Sequence, residues 1–257
     1  MARCLERLRS LEPRRIVVVD CVSTDGPQEI AGKYGVEVVE HAWPGNQAEQ
    51  FNWALDNLEI EGEWILRLDA DEYLTPELVE ELKGLLTSSA SFNEVELPLA
   101  RTWRGTLLKH EAGHVVIPRI FRRGCGRYEQ REMDEKLVIE GEVVRTKNCF
   151  VDDNLKSFDW WKAKHRAYAK KEARSDLVEA ERIKGQDPAS LTSSQRNKAK
   201  YRKLPLFVRP FIYAFYRYFA WGVWKDGGAG LDWTLWQGLW YRWIVDCEIV
   251  KLRKGVK

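Results

Sequence analysis

The sequence predicts an α/β fold with a mostly parallel sheet and flanking helices, followed by a helical module rich in aromatic and basic residues. Short β-branched runs alternate with amphipathic helical patterns through the first half of the chain. Two of those runs end in carboxylates, at the position where open α/β sheets keep their ligands. Charge is also divided, with 19 basic against 29 acidic residues through Asn154 and 22 against 10 beyond it. A chain of 257 residues with 44% apolar content can bury one large core, or one domain with an appendage, and disorder and collagen-like repeats are excluded.

Residues 4–11 read as a first helix. Residues 15–20, Arg-Ile-Val-Val-Val-Asp, form a strand with an acid at its end, and Ser-Thr-Asp-Gly-Pro follows as turn and helix-cap chemistry. A short helix over 28–34 is closed by Gly35, a second strand runs over 36–40, and 48–58 makes an amphipathic helix. Residues 64–68 are a third strand. Thr75-Pro76 starts a helix over 77–86, and 94–100 and 115–121 read as further strands. A long amphipathic helix is expected over 158–184. These elements divide the chain into an α/β domain (1–154), a connecting helix with a basic linker (155–203) and a helical module (204–257).

The Asp69-Ala70-Asp71-Glu72 string follows Trp-Ile-Leu-Arg-Leu, so two carboxylates two residues apart point to one side at the mouth of a sheet. Crowded acids repel unless a cation joins them, and a few hard oxygen ligands suit Mg²⁺ or Mn²⁺ with positions left for phosphate oxygens. An acid-rich turn before a helix is the plainer alternative. Asp20 before its Ser-Thr-Asp-Gly turn equally fits a simple cap.

The order of these features adds to each of them. Val-Asp-Cys-Val-Ser-Thr-Asp-Gly, the Gln50-Phe51-Asn52-Trp53-Ala54-Leu55 helix and Leu-Asp-Ala-Asp-Glu closely resemble the inverting family 2 glycosyltransferases of GT-A fold. Bacterial sugar transferases of lipopolysaccharide-core and capsule assembly are the nearest likeness, with Arg119-Ile120-Phe121-Arg122-Arg123 and the aromatic tail also similar. The resemblance implies that Asp20, Ser23, Asp25, Asn52 and Asp69 bind a nucleotide-sugar donor, and that Asp71 holds the metal bridging its diphosphate. It also implies a catalytic base at Asp134 or Glu135, between which the sequence does not choose, and acceptor-side or diphosphate contacts from His110, Arg119 and Arg122. In the resembling family a strand precedes the first helix, so the chain is expected to begin inside a longer gene, or to be a truncated form with impaired donor binding.

Competing motifs are weaker. His110-Glu111-Ala112-Gly113-His114 matches the zinc-protease string, but Gly113 and the extended Val115-Val116-Ile117-Pro118 run oppose the helix that this chemistry needs. Phosphatases or phosphotransfer enzymes with an Asp-x-Asp pair carry it after their first strand, whereas here at least two strands precede it. The basic run at 198–203 invites nucleic acid, yet its surroundings are too apolar for a solvated groove.

Six of the twelve Trp lie between Trp221 and Trp243, and no acidic residue occurs between Asp187 and Asp226. This composition suits docking on an anionic membrane surface, with Arg209, Arg217, Trp221 and Trp236 as expected contacts and a lipid-linked glycan as acceptor. The spacing of Trp233, Trp236, Trp240 and Trp243 equally fits one buried helical stripe. Residues 204–224 are interrupted by charges and Pro210 and make a poor spanning helix. The scattered cysteines (Cys4, Cys21, Cys125, Cys149, Cys247) and the charged N-terminus point to the cytoplasmic face of a bacterial inner membrane.

Overall fold

Strand and helix alternate through the first unit of the computed structural model, which describes residues 1–88, 91–129, 136–182 and 193–255. This unit comprises Met1–Leu107 and Ala112–Leu155, and the second comprises Leu108–Glu111 and Lys156–Lys257.

The first unit begins with α1 (Ala2–Arg9), β1 (Val17–Asp20), α2 (Pro27–Lys33) and β2 (Glu37–Glu40). Gly26, at φ 72°, takes the left-handed conformation that turns the chain into α2, and Pro27 supplies the first helical position. Next come α3 (Gln47–Asn57), β3 (Trp64–Leu66), β4 (Glu72–Leu74) and α4 (Pro76–Leu86). Asn46 Oδ1 accepts from the Glu49 amide at 2.7 Å, and Thr75 Oγ1 accepts from the Leu78 amide at 3.2 Å, so α3 and α4 both start on side-chain caps. The remaining strands are β5 (Glu94–Trp103), β6 (Thr106–Leu108), β7 (Val115–Arg122), β8 (Gly126–Tyr128), β9 (Leu137–Ile139), β10 (Val143–Arg145) and β11 (Phe150–Asp152).

The expected strands and helices are present, with ends shifted by a few residues, but the sheet is mixed rather than mostly parallel. Its central order is β3-β7-β5-β11-β4, with β7 antiparallel to both β3 and β5, β11 parallel to β5, and β4 antiparallel to β11. The cause is local: β5 runs on to Trp103, β6 folds back onto it, and the chain then enters β7, so residues 104–114 are too short a connection for a parallel crossover. β1 and β2 pair in parallel as a separate sheet. Leu74, Leu78, Leu82, Phe92, Val95, Leu97, Ile120 and Phe150 form the main core between α4 and the sheet. Burying one such Leu or Phe side chain contributes about 1.5–3 kcal/mol.

The second unit contains α5 (Phe158–Arg182), α6 (Ser193–Lys203), α7 (Arg209–Ala220), a 3-10 turn (Val223–Asp226), α8 (Gly227–Trp233), a π-helical segment (Thr234–Trp240) and α9 (Tyr241–Arg253). Residues 155–203 and 204–257, read from sequence as a connector and a module, are parts of this one unit. Ala169 and Ala173 of α5 pack on Tyr241, Val245 and Ile249 of α9, and the two small residues let the helices approach closely. The Trp stripe is largely internal: Trp233 is buried, Trp233 and Trp240 lie near Trp161, and Trp236 meets Phe158 edge-on, whereas Trp243 is 38% exposed.

Two expected membrane contacts are corrected here. Arg209 is 2% exposed and its Nε donates to Asp246 at 2.7 Å, while Arg217 is 4% exposed and its Nη2 donates to Glu111 at 2.8 Å. A buried guanidinium is held by a carboxylate because an unpaired one would carry a large desolvation cost. Neither is available to lipid headgroups. No helix among the described residues is long and apolar enough to cross a membrane.

Candidate active site

Residues 67–69 lead out of β3, Ala70 and Asp71 turn, and β4 begins at Glu72. The turn is held from both sides: the Glu72 amide donates to the Asp69 carbonyl at 2.9 Å, and the Asp69 amide donates to Glu72 Oε2 at 3.0 Å. The Asp153 amide, just past β11, donates to the Asp71 carbonyl at 2.9 Å. These bonds use backbone groups and Glu72, leaving the Asp71 residue exposed and the Asp69 side chain 41% exposed.

Glu72 is the buried member of the cluster and pairs with Arg119 of β7. Arg119 Nη2 also stands 3.8 Å from Asp69 Oδ2, so one guanidinium partly neutralises two acids. Its Nε is buried without a hydrogen-bond partner among the described residues. Burial pushes the Glu72 carboxyl up to about 8, against the pull of Arg119, with Asp69 and then Asp152 adding like-charge repulsion. Cys4 of α1 reports the same field: burial is the main cause that raises its thiol to about 11, the N-terminal ammonium opposes it, and Glu72, Asp69 and Asp71 add to it. Arg3 pairs with Asp153 and lies over the Tyr73 ring, so α1 places a cation at the edge of the acids.

The sequence-derived candidates separate in space. Asp69 and Arg119 come together, and Asp71 follows in the same turn. Asp20 ends β1, is 5% exposed, and its Oδ2 accepts from the Ser23 amide at 3.0 Å, so it closes its own turn, with Ser23 and Asp25 exposed beyond it. Asn52 donates to the Tyr128 carbonyl at 2.7 Å and accepts from the Tyr128 amide at 3.1 Å, fastening α3 to β8. Arg122 lies opposite Trp64 at the start of β3, ~10 Å along β7 from Arg119, and pairs with Glu63. His110 belongs to the second unit, where its Nδ1 lies 2.9 Å from Asp226 and its amide donates to the same carboxylate. Asp134 and Glu135 lie outside the described residues.

Sequence reasoning missed Glu72 as the anchor and Arg119 as its partner. Glu72 stands directly after the Asp-x-Asp pair, and the alternation of β4 that buries Leu74 buries Glu72 on the same face, a signal that could have found it. Glu111, the would-be base of the zinc string, is fully buried against Arg217, and no group of three or more metal-binding side chains occurs among the described residues. As a cation site the turn therefore offers two carboxylates. That donor set fits a hard divalent ion which completes its shell with phosphate oxygens and water.

Residues 1–93, which contain β1, the Asp69 turn and α4, match the sequence family described as Glycosyl transferase family 2. An uncharacterized glycosyltransferase of Rickettsia conorii is 33% identical over 88 residues, and another of Rickettsia prowazekii is 30% identical over 88 residues. Each match spans 34% of this chain and only 30% and 29%, respectively, of the two relatives. Among solved structures, the mannosyltransferase PcManGT from Pyrobaculum calidifontis, in complex with GDP-Man and Mn²⁺, aligns over 95% of this chain and 82% of its own with a TM-score of 0.50 at 15% identity. At that identity the likeness concerns the fold, which is α/β of the GT-A class with an added helical unit.

Proposed function

We propose that the first unit transfers a sugar from a nucleotide-sugar donor to a lipid-borne glycan acceptor of the lipopolysaccharide-core or capsule kind, with inversion, at the cytoplasmic face of a bacterial inner membrane. The observation that carries this reading is the Asp69–Asp71 turn, set at a strand end within the segment that matches glycosyl transferase family 2. In the reaction, the acceptor hydroxyl oxygen attacks the anomeric carbon opposite the diphosphate. The bond to the diphosphate breaks, and the hydroxyl proton passes to a carboxylate, for which Asp134 and Glu135 are the candidates.

Asp71, with Asp69 beside it, would hold Mg²⁺ or Mn²⁺, and a bound ion would stabilise the negative charge of the departing diphosphate. The mannosyltransferase of the same fold binds a nucleotide sugar together with Mn²⁺, which supports this assignment. Arg119 and Glu72 keep the turn fixed before any ligand arrives, so little reorganisation is needed on binding. Asp20, at the end of β1, is our candidate for accepting from a nucleobase or ribose.

The test is turnover of the full chain on a panel of radiolabelled nucleotide sugars with Mn²⁺ and a bacterial lipid extract, followed by the anomeric configuration of the product. Label moving into lipid with inverted configuration is the expected result. Retention of configuration would remove inversion. Release of inorganic phosphate from phosphate esters without any sugar transfer would replace the reading with phosphoryl chemistry.

A further inference from the structure

Helix α7 of the second unit is amphipathic in reverse. Its two cations point inward, Arg209 onto Asp246 and Arg217 onto Glu111, and both pairs are buried. Its outward face carries Phe211 (54% exposed), Ile212 (46%), Phe215 (66%), Tyr216 (53%) and Phe219 (54%). These residues recur at three- and four-residue spacing and make one continuous apolar stripe without a charged side chain. Several large apolar residues side by side on a surface mark a contact with something other than water.

Charge complementarity identifies the occupant. Exposed Lys203 stands six residues before α7, and exposed Lys225 follows it, with Nζ 5.6 Å from the ring centre of exposed Trp224. The sequence has eight Lys or Arg and no Asp or Glu between Asp187 and Asp226, and of these cations Arg202, Arg209 and Arg217 are paired with Asp176, Asp246 and Glu111. Two copies pairing antiparallel through the stripe would set Lys203 of each against Lys225 of the other and repel. An anionic lipid surface attracts both ends while its acyl boundary takes up the aromatic side chains.

We propose that α7 lies in the plane of an anionic bilayer interface, with Phe211, Phe215 and Phe219 inserted and Lys203 and Lys225 against the headgroups. This assignment rests on the surface of the second unit and not on the transfer reaction, so it is tested without donor. The full chain would be floated with vesicles of phosphatidylcholine alone, and with vesicles of equal parts phosphatidylcholine and phosphatidylglycerol, at low and high salt. Wild type should float with the anionic vesicles. Phe215→Ser with Phe219→Ser should lower partitioning on the order of tenfold or more at either salt. Lys203→Gln with Lys225→Gln should lower it roughly fivefold or more at low salt only.

Both substitution pairs are at exposed positions, and a melting curve for each checks the fold. Should the Phe pair unfold, Phe215→Glu alone serves as the aromatic variant, with the same expected loss. Equal flotation of wild type and a folded aromatic variant would overturn the assignment. So would a wild type that ignores vesicles, whether it sediments as a monomer or as a concentration-dependent dimer dissociated by the Phe substitutions, the latter result pointing to a second copy.

Discussion

The Asp153 amide reaches the Asp71 carbonyl across 2.9 Å, so the strand that carries one acid fixes the turn that carries another. Asp71 is therefore positioned by its backbone while its exposed side chain contributes little to stability. Asp71→Asn is expected to leave stability within about 0.5 kcal/mol of wild type, the usual range for surface changes. Turnover should fall by an amount equivalent to several kcal/mol of barrier, on the order of what a metal-assisted leaving group gains. Thermal melting beside donor turnover, with and without chelator, checks both halves. Wild-type turnover in chelator would remove the metal role.

Glu72 behaves in the opposite way. Its partner Arg119 is buried, and above about pH 8, where the Glu72 carboxyl is ionised, Glu72→Ala would leave that guanidinium without its main counter-charge, a loss of about 3–5 kcal/mol. The double variant Glu72→Leu with Arg119→Met should recover more than half of it, because a well-packed apolar pair avoids the desolvation cost. Chemical denaturation of the three variants measures this, and a double variant no more stable than Glu72→Ala would refute it.

His165 makes the second unit sensitive to acid. Its ring stacks on Trp161 at 3.7 Å, and its Nδ1 lies 2.9 Å from the Trp161 carbonyl. Burial is the main cause that lowers its pKa from 6.5 to about 4, although the carbonyl bond opposes it. The folded form thus keeps the ring neutral, and the unfolded chain takes up the proton first. Stability present above about pH 6.5 should be lost as pH falls towards 4. The full shift corresponds to about 3 kcal/mol, reduced to roughly 2 for a ring that is only partly buried. In melting experiments from pH 7 to pH 4.5, His165→Gln should flatten the decline, and an unchanged slope would count against this ring.

Asp246 holds two groups at once. It pairs with Arg209, and its Oδ2 accepts from the Phe207 amide at 2.7 Å. Phe207 sits at φ 65°, a conformation that costs a non-glycine residue about 1–2 kcal/mol. Asp246→Ala should cost about 3 kcal/mol by leaving buried Arg209 with only Asp176, 3.9 Å away, and should loosen the turn into α7 as well. Hydrogen exchange at residues 206–209 would register the second effect, which a purely remote loss of packing would not produce.

The strand-end acids were legible in the sequence because a β-branched run followed by a turn leaves few places for the next side chain. Asp69 follows β3 as that argument expects, whereas Asp71 sits in the turn before β4 rather than beside Asp69 on one extended segment. The burial of Arg209 and Arg217 and the Tyr128 bonds of Asn52 escaped the sequence for one physical reason. Their partners Asp246, Glu111 and Tyr128 lie 37, 106 and 76 residues away in the chain, and local pattern says nothing about such distances. A positive charge in an aromatic segment reads as exposed until its buried carboxylate is found. The direction of β7 was hidden in a similar way, since an apolar run looks the same whichever way its neighbour points.

The π-helical segment at Thr234–Trp240 bears on how this unit tolerates insertions and deletions. A π segment holds one residue more than the α-helical turn it interrupts, and such a residue can be removed without breaking the chain's path. Deleting one residue there would let α8 run straight into α9 and keep the later side chains near their present phase, because the wide turn already absorbs that residue's ~100° of rotation. The same deletion between Tyr241 and Asp246 has no wide turn to absorb it, and Asp246 would swing away from Arg209. The wide turn therefore sets the angular phase of the last helix, and a one-residue deletion should be accepted within Thr234–Trp240 but not between Tyr241 and Asp246.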